Sequence, residues 1–166
     1  MSQVPRDFID LFRCLNHHGV EYLIVGNYAL AYHGIPLSMD DLDLFISPEV
    51  DNVQNLLLAL EEFGFGALGL TVQDFIDPNA CVRLGYPPEE LDIISSISGV
   101  SWEEAWEKRR NGTFWGESVN VIAKDLLIKN KRARGRLQDL KDATSLEQLD
   151  LDSFIQSSPF SEPLIP

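Results

Sequence analysis

Residues 22–46 decide the fold of this chain, and they read YLIVGNYALAYHGIPLSMDDLDLFI. The apolar run at 22–25 ends at Gly26, a short helical segment follows, and a second strand-like run contains Asp41 and Asp43. Successive side chains of a strand point to opposite faces of the sheet, so Asp41 and Asp43 share one face. Two neighbouring carboxylates repel each other unless a cation lies between them, and a divalent metal ion is the natural explanation.

The glycine between the first strand and its helix predicts an anion site. Backbone N–H groups at Gly26 and Asn27 can bind an anion such as a triphosphate. A metal site and an anion site so close in sequence indicate metal-assisted phosphoryl chemistry.

The stretch resembles the nucleotidyltransferase superfamily, which has the polymerase-beta-like fold. The family pattern is Gly-Gly or Gly-Ser opening a helix, then Gly-x-Pro-Arg-x-Thr-x-Asp-x-Asp. The chain matches it at Gly26, Gly34, Pro36, Asp41 and Asp43. Two later stretches, 84–106 (from LGYPP through LDII to EAW) and 125–142 (from DLLIKNKRA to DLKD), follow in the family's order. Within the superfamily, the chain looks most like small bacterial proteins of the AbiEii and DUF6036 type.

The resemblance implies an α/β (α+β) fold, with a nucleotidyltransferase-like mixed β-sheet flanked by helices and further helices at the C-terminal end. It also implies that Asp92 joins Asp41 and Asp43 as a third metal-binding and catalytic carboxylate. Asp92 lies between apolar residues, Leu91 and Ile93, so its neighbours are buried while it faces outward. Mg²⁺ or Mn²⁺ would be the metal, and Asp92 could act as general base on an acceptor hydroxyl.

A basic segment at residues 124–136 stands out in an acidic chain. The net charge is −13, which argues against general affinity for DNA or other nucleic acid, yet six of the 13 basic residues lie in this segment. One interpretation is a solvated helical face, and the other is an anion site that faces the carboxylates. The resemblance favours the second and implies that Lys131, Arg136 and Asp139 contribute to nucleotide binding.

Three departures from the family pattern leave two functions open. Asn27 stands where the family has a second Gly or a Ser, Leu37 where it has Arg, and Met39 where it has Thr. The first hypothesis is an enzyme that transfers a nucleoside monophosphate from an NTP to an acceptor, which is a protein hydroxyl, a small molecule or an RNA end. The second is a non-catalytic protein that binds a partner protein, such as one half of a toxin–antitoxin pair.

The chain is expected to form one domain at residues 1–150, with a loose or docked tail at 151–166 that could pack through Phe154, Ile155 and Phe160. No apolar run reaches membrane-spanning length, and Cys14 and Cys81 lack paired spacing, so a cytoplasmic protein is expected. No catalytic or metal-binding role is predicted for His17 and His18. Helices are predicted at 7–18, 27–33, 48–63, 101–110, 124–133 and 137–149, and strands at 21–25, 41–46, 80–84, 90–95 and 119–122. Ser101 and Glu104 form a capping box at the start of the helix 101–110, and Asn111-Gly112 is predicted as a turn after it.

Overall fold

The structure is a computed structural model that describes residues 6–36, 41–87, 89–149 and 160–161. The helices within these ranges are α1 (Arg6–His17), α2 (Gly26–Tyr32), α3 (Val50–Leu60), α4 (Gln73–Ile76), α5 (Trp102–Glu107), α6 (Lys124–Arg134) and α7 (Leu137–Gln148). The strands are β1 (Tyr22–Val25), β2 (Leu42–Ile46), β3 (Cys81–Tyr86), β4 (Glu89–Ile94), β5 (Arg110–Phe114), β6 (Glu117–Val121) and β7 (Phe160–Ser161). Leu37 and Met39, which depart from the family pattern, lie outside the described residues.

The strands form one mixed sheet in the order β3-β4-β2-β1-β6-β5-β7. β2 runs parallel to β4 and β1 runs parallel to β6, while the other neighbouring pairs are antiparallel. The predicted mixed sheet with flanking helices is therefore confirmed.

The centre of the sheet is its most deeply buried part. All four residues of β1 are buried, and β2 is buried except at Asp43, which is half-buried. Phe12 of α1 stacks on Tyr22 and meets the edge of Phe114 across the sheet. Asp43 thus interrupts an otherwise apolar strand. Burying a carboxylate costs free energy unless a cation or hydrogen-bond donors compensate its charge.

The prediction for residues 101–112 was right at its start and wrong at its end. Ser101 caps α5 as expected, since its hydroxyl accepts the N–H of Glu104. The helix stops at Glu107, however, and Asn111-Gly112, predicted as a turn, lies inside β5. The hairpin turn falls at Trp115-Gly116, both with positive φ, because strand pairing there fully buries Phe114.

The prediction for residues 48–63 was also too long, because α3 ends at Leu60. The chain continues as an irregular turn, Glu61–Phe65, in which Gly64 adopts a φ of 123°. Such a φ is accessible to glycine and unfavourable for other residues, so Gly64 lets the chain leave the helix axis.

Part of the tail packs on the body. Phe160 lies in β7, where it is the register partner of Phe114 of β5. Its ring also packs edge-on against the ring of Tyr32. Only 7% of the surface of Phe160 is exposed to solvent. Phe154 and Ile155 lie outside the described residues, and the division at residue 150 stays a prediction. No helix in the described part of the chain is long and apolar enough to cross a membrane.

Candidate active site at Asp43 and Asp92

Asp43 and Asp92 stand side by side on two parallel strands. They are register partners of β2 and β4, and the neighbouring pairs Leu42–Leu91 and Leu44–Ile93 are buried. Neighbouring strands lie about 4.8 Å apart, and register partners project to the same face. The alternation of the two strands therefore buries the leucines and isoleucine on one face and presents the two carboxylates together on the other.

Asp41 completes the group from the residue just before β2. It is exposed and lies two positions from Asp43, as the sequence pattern requires. Its charge reaches Asp43, because it contributes to the raised pKa of that carboxyl.

Gly26 packs directly against the side chain of Asp43. Val25, the last residue of β1, is the register partner of Asp43, and Gly26 follows it with a φ of 65°. A Cβ atom at position 26 would collide with Oδ2 of Asp43. Glycine is thus required here both by the backbone conformation and by the carboxylate above it.

The negative charges around Asp43 are not fully compensated by nearby basic residues, as the raised pKa of its carboxyl shows. The pKa of Asp43 is raised to about 6, first by burial and then by the negative charges of Asp92 and Asp41. Arg134 and Lys131 oppose this rise but do not overcome it. A bound cation would remove the repulsion that remains.

Arg83 is a site residue that the sequence analysis missed. It is the register partner of Asp92 on β3, and its guanidinium donates to both carboxylate oxygens, at 2.8 and 3.0 Å. The pairing raises the pKa of Arg83. A signal was present in the sequence, because two strands joined by the turn predicted at 85–88 bring Arg83 and Asp92 close together on neighbouring strands.

Lys131 belongs to a buried ion cluster rather than standing free. Its Nζ lies 3.2 Å from Asp142 Oδ2 and 3.5 Å from Asp139 Oδ1, and all three residues are buried. Arg136 Nε donates to Asp139 Oδ2 at 2.8 Å, and this bond lowers the pKa of the Asp139 carboxyl. The three predicted residues therefore meet in one cluster, in which the acids neutralise much of the positive charge.

Arg134 links this cluster to the carboxylates. Its Nε lies 3.8 Å from Asp139 Oδ2, and its charge lowers the pKa of Asp43. The last turn of α6 thus lies near enough to Asp43 for the charges of Arg134 and Lys131 to lower its pKa, and an anion site at the basic segment stays a prediction. Asn27, in the first turn of α2, is exposed.

The three aspartates do not form a closed cage. In the ranges that the structure describes, the one set of three His, Cys, Asp or Glu ligand atoms mutually within 4.8 Å belongs to His17, His18 and Glu62. Mg²⁺ is usually held by one or two carboxylates together with substrate phosphates, so an open arrangement of aspartates suits it.

Comparison with known proteins supports the fold. No model of a protein family matches the chain, and no curated protein matches it. A solved structure of the lincosamide antibiotic adenylyltransferase LnuA, with lincomycin bound, is similar with a TM-score of 0.51 and 12% sequence identity. The similarity covers 88% of this chain and 98% of that one. It does not support the narrower resemblance to AbiEii and DUF6036 proteins; it shows that the chain has a nucleotidyltransferase-like fold.

Proposed function

We propose that the chain is a metal-dependent nucleotidyltransferase that transfers a nucleoside monophosphate from an NTP to an acceptor and releases pyrophosphate. The observation that carries the proposal is the register pairing of Asp43 with Asp92 on the polar face of a nucleotidyltransferase-like sheet, with a pKa of about 6 at Asp43. Two half-buried carboxylates side by side repel each other and destabilise the folded protein. Binding of a catalytic cation between them would explain why both are present.

Asp41, Asp43 and Asp92 would hold Mg²⁺ or Mn²⁺, because carboxylate oxygens are the ligands these ions prefer. When bound, the metal activates the attacking oxygen and neutralises the charge of the leaving pyrophosphate. Arg83 fixes the Asp92 carboxylate by two hydrogen bonds. Each carboxylate oxygen has a second lone pair, so Asp92 retains the capacity to accept the proton of an acceptor hydroxyl.

The phosphates would be bound from two sides. Gly26 and Asn27 offer backbone N–H groups at the start of α2, next to Asp43. On the other side, the exposed guanidinium of Arg136 can donate to phosphate, while Asp139 orients it. Lys131, held by Asp139 and Asp142, supplies positive potential near Asp43 from a fixed position.

The first test is calorimetric binding of each of the four NTPs, with and without Mg²⁺. We expect at least one NTP to bind only with Mg²⁺, and Asp43→Asn or Asp92→Asn to weaken that binding at least tenfold. Asp51→Asn, the same chemical change at an exposed position of α3, is the control and should leave binding unchanged. The proposal fails if no NTP binds at millimolar concentration, or if Asp43→Asn binds as tightly as the wild type.

Transfer itself is tested by pyrophosphate release with three classes of acceptor: small molecules, proteins and RNA ends. The solved neighbour is an adenylyltransferase of a lincosamide antibiotic, so small hydroxyl compounds are the first class to examine. Release that requires both an acceptor and Asp92 supports the enzyme.

The alternative is a non-catalytic protein of the same fold, located in the cytoplasm and engaged with a partner protein such as the other half of a toxin–antitoxin pair. Arg83 favours it, because it occupies both oxygens of Asp92, and the departures at Leu37 and Met39 favour it as well. Mg²⁺-dependent NTP binding without pyrophosphate release across all three acceptor classes would favour this alternative over the enzyme.

A further inference from the structure

A second cluster of potential metal ligands lies outside the carboxylate site. His17 is the last residue of α1 and His18 follows it, and Glu62 lies in the irregular turn Glu61–Phe65 after α3. His17 Nδ1 is 3.1 Å and His18 Nε2 is 2.6 Å from the same atom, Oε2 of Glu62. Two imidazoles thus converge on one carboxylate oxygen, although 44 residues separate His18 from Glu62.

We propose that His17, His18 and Glu62 form a binding site for a zinc-like transition-metal ion, separate from the site proposed for Mg²⁺. Two imidazole nitrogens and one carboxylate oxygen are a donor set of catalytic and regulatory zinc sites, which keep a fourth position open for water or a ligand. Imidazole nitrogen selects zinc, copper and nickel over magnesium, which prefers oxygen.

The spacing of the donor atoms fits such an ion with little movement. Ligands at about 2.0–2.1 Å from zinc in a tetrahedral site lie about 3.3 Å from one another. The separations of the two nitrogens from Glu62 Oε2, 3.1 and 2.6 Å, would open by about 0.2 and 0.7 Å, and all three donor atoms lie within 4.8 Å of one another. The ring centroids of His17 and His18 are 4.9 Å apart with their planes tilted by 59°, so the nitrogens approach Glu62 from different directions.

The position in the fold also favours a cation. Both histidines lie at the C-terminal end of a helix of 12 residues, where the unpaired carbonyl groups give a negative potential. His17 and Glu62 are exposed and His18 is half-buried, so an ion can enter from solvent and keep a water ligand.

A bound ion would join α1 to the turn Glu61–Phe65. Cys14, Glu62 and Phe63 line a groove of about 810 Å³ that extends to Arg83 and Tyr86. The ion would therefore fix one wall of this groove without contacting the aspartates, and it would stabilise the folded chain through binding.

Titration of the full chain with Zn²⁺, followed by calorimetry, tests the site. We expect one ion per chain with a dissociation constant in the micromolar range, and His18→Gln or Glu62→Gln should weaken binding by at least about tenfold, because each removes a direct ligand. Glu61→Gln, the neighbouring exposed acid, is the matched control and should bind like the wild type. Replacing Zn²⁺ by Co²⁺ should give visible absorption bands of tetrahedral coordination, which His18→Gln abolishes.

The test separates this site from the carboxylate site. Asp43→Asn should leave Zn²⁺ binding unchanged, and His18→Gln should leave Mg²⁺-dependent NTP binding unchanged, so either proposal can fail alone. Absence of Zn²⁺ binding at about a hundred micromolar overturns the proposal, and so does equal binding by the wild type and by His18→Gln in a folded protein.

Discussion

Replacing Asp43 by asparagine should stabilise the metal-free protein. The pKa of Asp43 rises from 3.8 to about 6 because of burial first and of Asp92 and Asp41 next. At about 1.4 kcal/mol for each tenfold change in proton affinity, the ionised carboxylate destabilises the folded state by about 3 kcal/mol at neutral pH. Asparagine has nearly the same shape and carries no charge, so we expect Asp43→Asn to raise the free energy of unfolding by about 1–3 kcal/mol at pH 7.

The pH dependence of the free energy of unfolding tests whether the charge of Asp43 causes the difference in stability. Between about pH 4 and 6 the folded wild type binds a proton at Asp43 that the unfolded chain has released. The free energy of unfolding of the wild type should therefore fall, relative to that of Asp43→Asn, as the pH rises through this window. The two proteins should be equally stable near pH 4 and differ most above pH 6.

Urea unfolding in buffer with a chelator measures this difference, and thermal unfolding should show a rise in Tm of about 2–10 °C at pH 7 for a chain of this length. Asp51→Asn controls for removal of one negative charge and should not stabilise the protein. Adding Mg²⁺ should then raise the Tm of the wild type and not that of Asp43→Asn. An Asp43→Asn protein that is less stable than the wild type at pH 7 without metal would show that the carboxylate is structural, and the reasoning would be wrong.

Three further predictions concern the supports of the site and the tail. Gly26→Ala should destabilise the protein by about 2 kcal/mol or more in urea unfolding, because of its positive φ and the collision of the new Cβ with Asp43. Lys131→Ala should cost about 3 kcal/mol of stability, since it takes from buried Asp142 the ammonium that pairs with it, while Asp139 keeps Arg136; little change would contradict the buried cluster. Phe160→Ala should cost roughly 3 kcal/mol by the same measurement, and a neutral result would mean that the tail does not pack on β5 in solution.

Local sequence patterns predicted the parts of the fold that depend on near neighbours. The run 22–46 specified two strands and the helix between them, because alternation and a strand–glycine–helix junction are local properties, while the shared face of Asp41 and Asp43 stays a prediction, since Asp41 lies just before β2. Likewise, Ser101 and Glu104 marked the start of α5 correctly. The strand Arg110–Phe114 was missed because its conformation depends on burying Phe114 against residues far away in sequence.

The candidate site was predictable to the same extent. The position of Asp92 beside Asp43 followed from a family pattern, and the structure places the two in register. The partners of Lys131 could not be read from the sequence, since a basic run on a helix looks the same whether it faces solvent or the acids of the next helix. The convergence of His17, His18 and Glu62 was equally hidden, because adjacent histidines and an acid in another element form no local motif.

The most direct test of the central claim is a crystal structure of the chain with Mn²⁺ and a non-hydrolysable NTP analogue, with the metal located by its anomalous scattering. We expect a manganese ion within coordinating distance of Asp43 and Asp92, about 2.1 Å for an octahedral ion of this kind, with the triphosphate between Gly26 and the last turn of α6. A nucleotide bound elsewhere, or a triphosphate at this position with no metal on Asp43, would contradict it.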